Sequence, residues 1–125
     1  MPAYRRRLGA AGEERAAAWY VENGYSVLDR NWRASASPER RIRGELDLVA
    51  RRGPVIVFSE VKTRAGAVFG EPFEAVTAAK QSTVRRLAAQ WLRERGRTLG
   101  RSVEEIRFDV VSIQGQNVNV LEGAF

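Results

Sequence analysis

Gly44-Glu45-Leu46-Asp47-Leu48-Val49-Ala50, then Arg51-Arg52-Gly53-Pro54, then Val55-Ile56-Val57-Phe58-Ser59-Glu60-Val61-Lys62 is the stretch whose reading decides the fold. Two runs rich in Val, Ile and Phe flank a turn-type cluster, a pattern that predicts a β-hairpin. Side chains alternate faces along a strand, so Glu45 and Asp47 share a face, and so do Glu60 and Lys62, while Ser59 and Val61 take the other. If Ala50 pairs with Val57, Asp47 stands opposite Glu60 with Cβ atoms about 5 Å apart. A slip of one residue would send the two carboxylates to opposite faces, so register decides whether the cluster exists.

Facing carboxylates repel unless a bound cation, a shared proton or the neighbouring lysine offsets the charge. Magnesium suits such a site, because it takes one or two carboxylates and completes its octahedron with water and phosphate oxygens. Lys62 could orient a water or stabilise charge developing on a phosphate. The functional expectation is metal-dependent phosphodiester hydrolysis. The same spacing also describes a surface hairpin with cross-strand ion pairs.

The chain has 125 residues, 44% of them hydrophobic and 29% charged, which is the profile of one ordinary globular domain. No apolar run approaches the roughly 20 residues of a membrane span. Basic residues at Arg5 to Arg7 are not followed by the apolar core of a signal peptide. Cysteine is absent, which excludes disulfides and Cys-ligated zinc and fits a cytoplasmic protein. Histidine is absent too, so acid–base or metal chemistry falls to carboxylates, lysine, hydroxyls or water. The net charge is +6, and only Lys62 and Lys80 among the 21 basic residues are lysines. Arginine grips phosphate bidentately and stacks on bases, so this balance suggests a nucleic-acid partner. A general arginine bias of the source would look the same.

Outward from the hairpin, Arg5 to Arg7 read as a mobile basic arm over residues 1–8, followed by a helix from about Ala10 to Asn23. Ala16, Ala17, Tyr20 and Val21 recur at helical spacing, and Gly24 is the stop. Glu13 and Glu14 would favour the positive end of that helix dipole. Tyr25 to Arg30 reads as a strand continuing toward Trp32, and Ala34 to Arg43 as a loop. Its Arg40, Arg41 and Arg43 could guide a phosphate backbone, or merely solvate the loop. A second helix spans roughly Thr77 to Arg95, with Thr77 as N-cap and an apolar stripe of Val84, Leu87, Ala88, Trp91 and Leu92. Lys80 in its first turns opposes the helix dipole, a local conflict of the kind found at functional positions. Arg85, Arg86, Arg93, Arg95 and Arg97 read as a solvated basic face. Ile106 to Ile113 and Asn117 to Leu121 form a second hairpin, with Asp109 expected to be structural and paired with an arginine. The order α-β-β-β-α-β-β predicts an α/β architecture, a mixed sheet with helices packed on it.

That order, with an acidic residue on the second strand and Glu60-Val61-Lys62 on the third, resembles the PD-(D/E)XK superfamily, the restriction-endonuclease-like fold. Asp47 matches its first acidic position, and Glu13 matches a helix carboxylate of the archaeal Holliday-junction resolvases. The chain is still more similar to the YraN-like bacterial family, uncharacterised and assigned to this fold. The stretches that carry this are Gly9 to Glu14, Gly24-Tyr25, Arg30 to Arg33, Gly44 to Ala50, Phe58 to Arg64 and Arg107 to Val111, together with Lys80 and Ala124-Phe125. Two departures are a longer Ala34 to Arg43 segment and Ser59 in place of an apolar residue. The resemblance implies a DNA endonuclease, with branched or otherwise structured DNA among its expected substrates and Asp47, Glu60, Lys62 and Glu13 as its catalytic set. Asp47, Glu60 and the Val61 carbonyl would bind Mg²⁺ or Mn²⁺, and Glu13 would act through water. Arg64, Lys80 and Gln81 would contact the phosphate backbone. Symmetric cutting of two strands would favour a homodimer. The alternatives are a non-catalytic nucleic-acid-binding protein on the same fold, and a structural domain whose carboxylates are ion-paired.

Overall fold

The computed structural model describes residues 3–34, 42–64, 76–99 and 103–125, with the backbone alone for residues 3–9. The sheet has five strands: β1 (Ser26–Trp32), β2 (Leu46–Arg52), β3 (Val55–Arg64), β4 (Glu105–Gln114) and β5 (Asn117–Leu121). They lie in sequence order, β1-β2-β3-β4-β5. Only β3 and β4 run parallel; the other neighbours are antiparallel. The crossover that parallel pairing requires carries α2 (Ala78–Arg95), and α1 (Ala3–Glu22) precedes β1. This is the expected α/β architecture, a mixed sheet flanked by two helices. Among the described residues no helix is long and apolar enough to cross a membrane.

Alternation along the strands gives the sheet two apolar faces. Leu48, Ala50, Val57, Val111 and Ile113 pack with Ala16, Ala17 and Tyr20 of α1. Val49, Ile56 and Phe58 pack with Val84, Leu87, Ala88 and Trp91 of α2. Each large side chain so buried contributes roughly 1.5–3 kcal/mol. Trp91 is fully buried, and its indole N–H donates to Asp29 Oδ2 at 2.7 Å, so its polar atom is satisfied as well. The Thr77 hydroxyl accepts the Lys80 backbone N–H at 3.1 Å, the expected N-cap of α2, and Gly96 ends the helix.

Three expectations at the N-terminal end are corrected. The stretch from Arg5 to Leu8 is helix and not an arm, because α1 begins at Ala3. Arginine, leucine and alanine are all good helix formers, and although Gly9 and Gly12 each cost about 1 kcal/mol relative to alanine, no proline interrupts the run into the apolar turns that follow. Glu13 and Glu14 consequently lie beyond the first turn, where the helix dipole no longer accounts for them. Val21 is 56% exposed and belongs to no core face.

The hairpin register is the anticipated one. Ala50 pairs with Val57 and Leu48 with Ser59, and one further step brings Asp47 opposite Glu60. β3 runs on past Lys62 to Arg64.

Asp109 is structural, as expected, and fully buried. Its Oδ1 accepts from Arg107 Nε at 2.8 Å and from the Gly123 backbone N–H at 3.0 Å, and its Oδ2 from the Tyr20 hydroxyl at 2.7 Å. The Ser59 hydroxyl, with its Oγ 3.1 Å from the Tyr20 oxygen, donates to that oxygen, which gives the serine its place in an otherwise apolar strand. Burial and the Asp109 charge push the Tyr20 hydroxyl far above its usual range, so it acts as a permanent donor. The Asp109 bond holds the Arg107 guanidinium even more firmly protonated than usual.

Candidate active site

The site forms where α1 crosses the β2–β3 hairpin. Gly12 makes the crossing close: a Cβ there would collide with Thr63 Oγ1, with Thr63 Cβ at 3.1 Å and Cγ2 at 3.3 Å. The next residue, Glu13, is thereby delivered to the open end of the hairpin. The chain enters β2 through Gly44 at φ +107°, a conformation that strains residues bearing a Cβ. Glu45 and Asp47 follow on one face of the strand.

One carboxylate oxygen from each of Glu13, Glu45 and Asp47 lies within 4.8 Å of the others, and all three residues are half-buried. The Val61 backbone N–H donates to Asp47 Oδ2 at 2.9 Å and ties β2 to β3 at the site. Burial, then the Glu60 and Glu13 charges, push the Asp47 carboxyl up to about 7 against the stabilising Val61 bond. Burial and Glu45 raise Glu13, opposed by a hydrogen bond with Asn31 and by Arg30. Asn31 lies on β1 at φ +49°, among the described residues the one non-glycine in the left-handed region. Asparagine tolerates that region better than most side chains. Glu60 is 12% exposed and pairs with Lys80 Nζ at 3.6 Å. Arg33 Nε holds Glu45 Oε2 at 3.2 Å. Lys62 is half-buried on β3, and among the described residues it makes no ion pair.

The structure brings Glu13 of α1 and Asp47 of β2 together with Glu45, while Glu60 of β3 lies near enough for its charge to act on Asp47 but outside that close group. Lys62 follows Glu60 by one step of its face. Lys80 reaches the site from α2, and its place against the helix dipole is offset by Glu60. Gln81 turns back to donate to the Val76 carbonyl at 2.9 Å, so its amide braces the start of α2. Arg64 ends β3, Arg43 is exposed just before β2, and Arg40 and Arg41 lie outside the described residues. Glu45 is the site residue the sequence reading left out. Its shared face with Asp47 was visible, but its proximity to Glu13 needs the crossing of α1. An all-oxygen donor set of this kind suits a hard cation better than a soft one.

An α/β protein with a five-stranded mixed sheet, two flanking helices and a carboxylate cluster on its central hairpin is the class that fold and site define. The chain belongs to the uncharacterised protein family UPF0102, whose family model matches residues 12–113, a span that includes Glu13, Asp47, Glu60, Lys62 and Lys80. It is 47% identical over 111 residues to a UPF0102 protein of Rhodococcus jostii, covering 89% of this chain and 85% of the relative. A UPF0102 protein of Acidothermus cellulolyticus is 42% identical over 132 residues, covering 97% and 95%. One of Moorella thermoacetica is 43% identical over 127 residues, covering 97% of each.

Proposed function

We propose that this protein is a divalent-metal-dependent endonuclease that hydrolyses phosphodiester bonds in DNA, branched DNA included, on a restriction-endonuclease-like core similar to that of archaeal Holliday-junction resolvases. The observation that carries the reading is Asp47, a half-buried carboxylate clustered with Glu13 and Glu45 and raised to about 7 by its burial first and then by the Glu60 and Glu13 charges. A fold stores like charges in this way where a cation or a proton is to be taken up. Asp47 and Glu60 would hold Mg²⁺ or Mn²⁺ with the Val61 carbonyl, and Glu13 would hold a water of its shell. When bound, the ion supplies Lewis-acid polarisation of the phosphate and lowers the pKa of water. Lys62 orients the attacking water and offsets charge developing on the phosphate. The Val61 N–H keeps Asp47 pointed into the site. Arg33 restrains Glu45. Lys80, Gln81, Arg64 and Arg43 would contact the phosphate backbone, with Arg40 and Arg41 in the adjoining segment of sequence.

The deciding experiment is cleavage of linear, single-stranded, flapped and four-way DNA with Mg²⁺ and with Mn²⁺. The reading requires activity that Asp47→Ala and Lys62→Ala each reduce by about 100-fold or more, the scale expected for groups acting at the transition state. Activity surviving both substitutions rejects it. The Lys80–Glu60 pair favours a second reading, a non-catalytic nucleic-acid-binding protein, because it offsets part of the cluster's charge without a cation. Salt-sensitive DNA binding with no cleavage on any substrate selects that reading.

A further inference from the structure

The outer face of α2 has a composition that the site does not use. Its exposed positions include Ala78, Ser82, Arg85, Arg86 and Ala89, and Glu94 is the helix's only acidic residue. Ala78, Gln81, Ser82, Arg85, Arg86 and Ala89 line an open pocket of about 490 Å³. Among the described residues neither Arg85 nor Arg86 pairs with a carboxylate. Arg93 and Arg95, by contrast, are engaged with Gln90 and with Asp29.

Arg85 is also held in place. Its guanidinium lies 5.5 Å from the ring centroid of Phe108 and 5.5 Å from that of Phe125. The two rings stack at 5.2 Å, and the Ala124 N–H donates to the Phe108 carbonyl at 2.7 Å, which pins the segment bearing Phe125. A guanidinium braced on aromatic faces keeps its edge N–H groups free for a planar anion and loses little entropy on binding. At 1.5 Å per residue, Arg86 lies about 9 Å along the helix axis from Lys80, which touches Glu60 of the site. One strand of a duplex carries two or three phosphates over that span, at about 3.4 Å of axis each.

We infer that the outer face of α2, centred on Arg85 and Arg86, docks the sugar–phosphate backbone of nucleic acid, and that Phe125 is a positioning residue for Arg85. The inference rests on the nuclease reading for the direction in which the strand runs, toward Lys80 and the carboxylates. It depends on charge and hydrogen bonding alone for the docking itself. An anionic membrane is a poorer occupant, because among the described residues the large exposed apolar ones, Val21, Ile106 and Leu121, all lie off α2.

The test is fluorescence anisotropy with the full chain, a labelled 20-base-pair duplex and the matching single strand, over a series of salt concentrations. Arg85→Ala/Arg86→Ala should weaken binding at least tenfold and flatten the logarithmic salt slope by about 2, since each lost phosphate contact removes about 0.9. Phe125→Ala should weaken binding several-fold with the slope lowered by less than 1, and Phe125→Trp should restore it. Circular dichroism and thermal melts check that the exposed arginine variants remain folded. An arginine double variant with wild-type affinity and slope would overturn the inference. So would a wild type that ignores both nucleic acids, including one that binds vesicles of anionic phospholipid instead. Loss of binding in the double variant, with no cleavage by the wild type on any substrate, would keep the docking surface and reject the nuclease.

Discussion

Two aspartates on neighbouring parts of one sheet have opposite surroundings. Asp109, on β4, meets a guanidinium, a tyrosine hydroxyl and a backbone amide. Asp47, on β2, meets three other carboxylates and one backbone amide. Asp109 is fully buried and Asp47 half-buried, yet it is the less buried of the two whose charge is the worse met. The difference lies in what folding leaves unsolved. The charge of Asp109 is fully accounted for within the chain, which is the mark of architecture. That of Asp47 is met only in part, by the Val61 amide and the Lys80 charge, which is what a binding site leaves over.

The largest effect should come from breaking the satisfied member. Asp109→Ala removes the closest anion from a mostly buried Arg107, which keeps only Glu122 at 3.7 Å and the Tyr25 hydroxyl, and leaves two other donors unpaired, so urea denaturation should show a loss of about 3 kcal/mol. The contrast requires the opposite of Asp47→Asn. Removing a charge from a repelling cluster should leave the metal-free protein at least as stable at pH 8. The same substitution should abolish stabilisation by Mn²⁺, which for the wild type should reach about 2.7 kcal/mol at a hundredfold excess over Kd. Equal stability losses in the two variants would end the comparison.

Acidity sharpens it. The folded-state pKa of Asp47, about 7, lies above its ordinary 3.8, so the folded protein holds that proton more tightly than the unfolded chain does. The contribution to stability is therefore present in full below about pH 4 and is lost as pH rises toward 7. Thermal melts without metal should show this decline, and Asp47→Asn should flatten it. Metal stabilisation should grow across the same interval, since a cation competes with the proton.

Smaller effects test the supports. Gly12→Ala should cost about 2 kcal/mol, because the new methyl meets Thr63, and Thr63→Ala in the same chain should recover most of it. Mn²⁺ affinity should fall in the single variant, because α1 carries Glu13. Tyr20→Phe should cost about 1 kcal/mol, as Asp109 keeps its other partners.

Much of this was legible in the sequence because it is local. Alternation and the Arg51 to Pro54 turn placed the hairpin, and the hairpin placed Asp47 against Glu60. The apolar stripe of α2 and its Thr77 cap were readable for the same reason. What could not be read is set by distant contact. Glu45 joins the cluster only because α1 crosses β3 at Gly12. The start of α1 carries no apolar periodicity, so its basic residues looked like an arm. Arg85 looked like any solvated arginine, since Phe108 and Phe125 come from the far end of the chain.

The single parallel seam between β3 and β4 has a consequence for the order of assembly. β2–β3 and β4–β5 are each closed by a tight turn, and such hairpins form in microseconds. The seam joining them must wait for the whole passage through α2, a closure of high contact order and slower rate. Asp47 and Glu60 thus meet early, while water still screens their repulsion, and are desolvated only when the two halves zip together. On that order the electrostatic cost of the site would fall on the last step of folding, and a divalent ion that binds the site should speed refolding when it is present in the buffer.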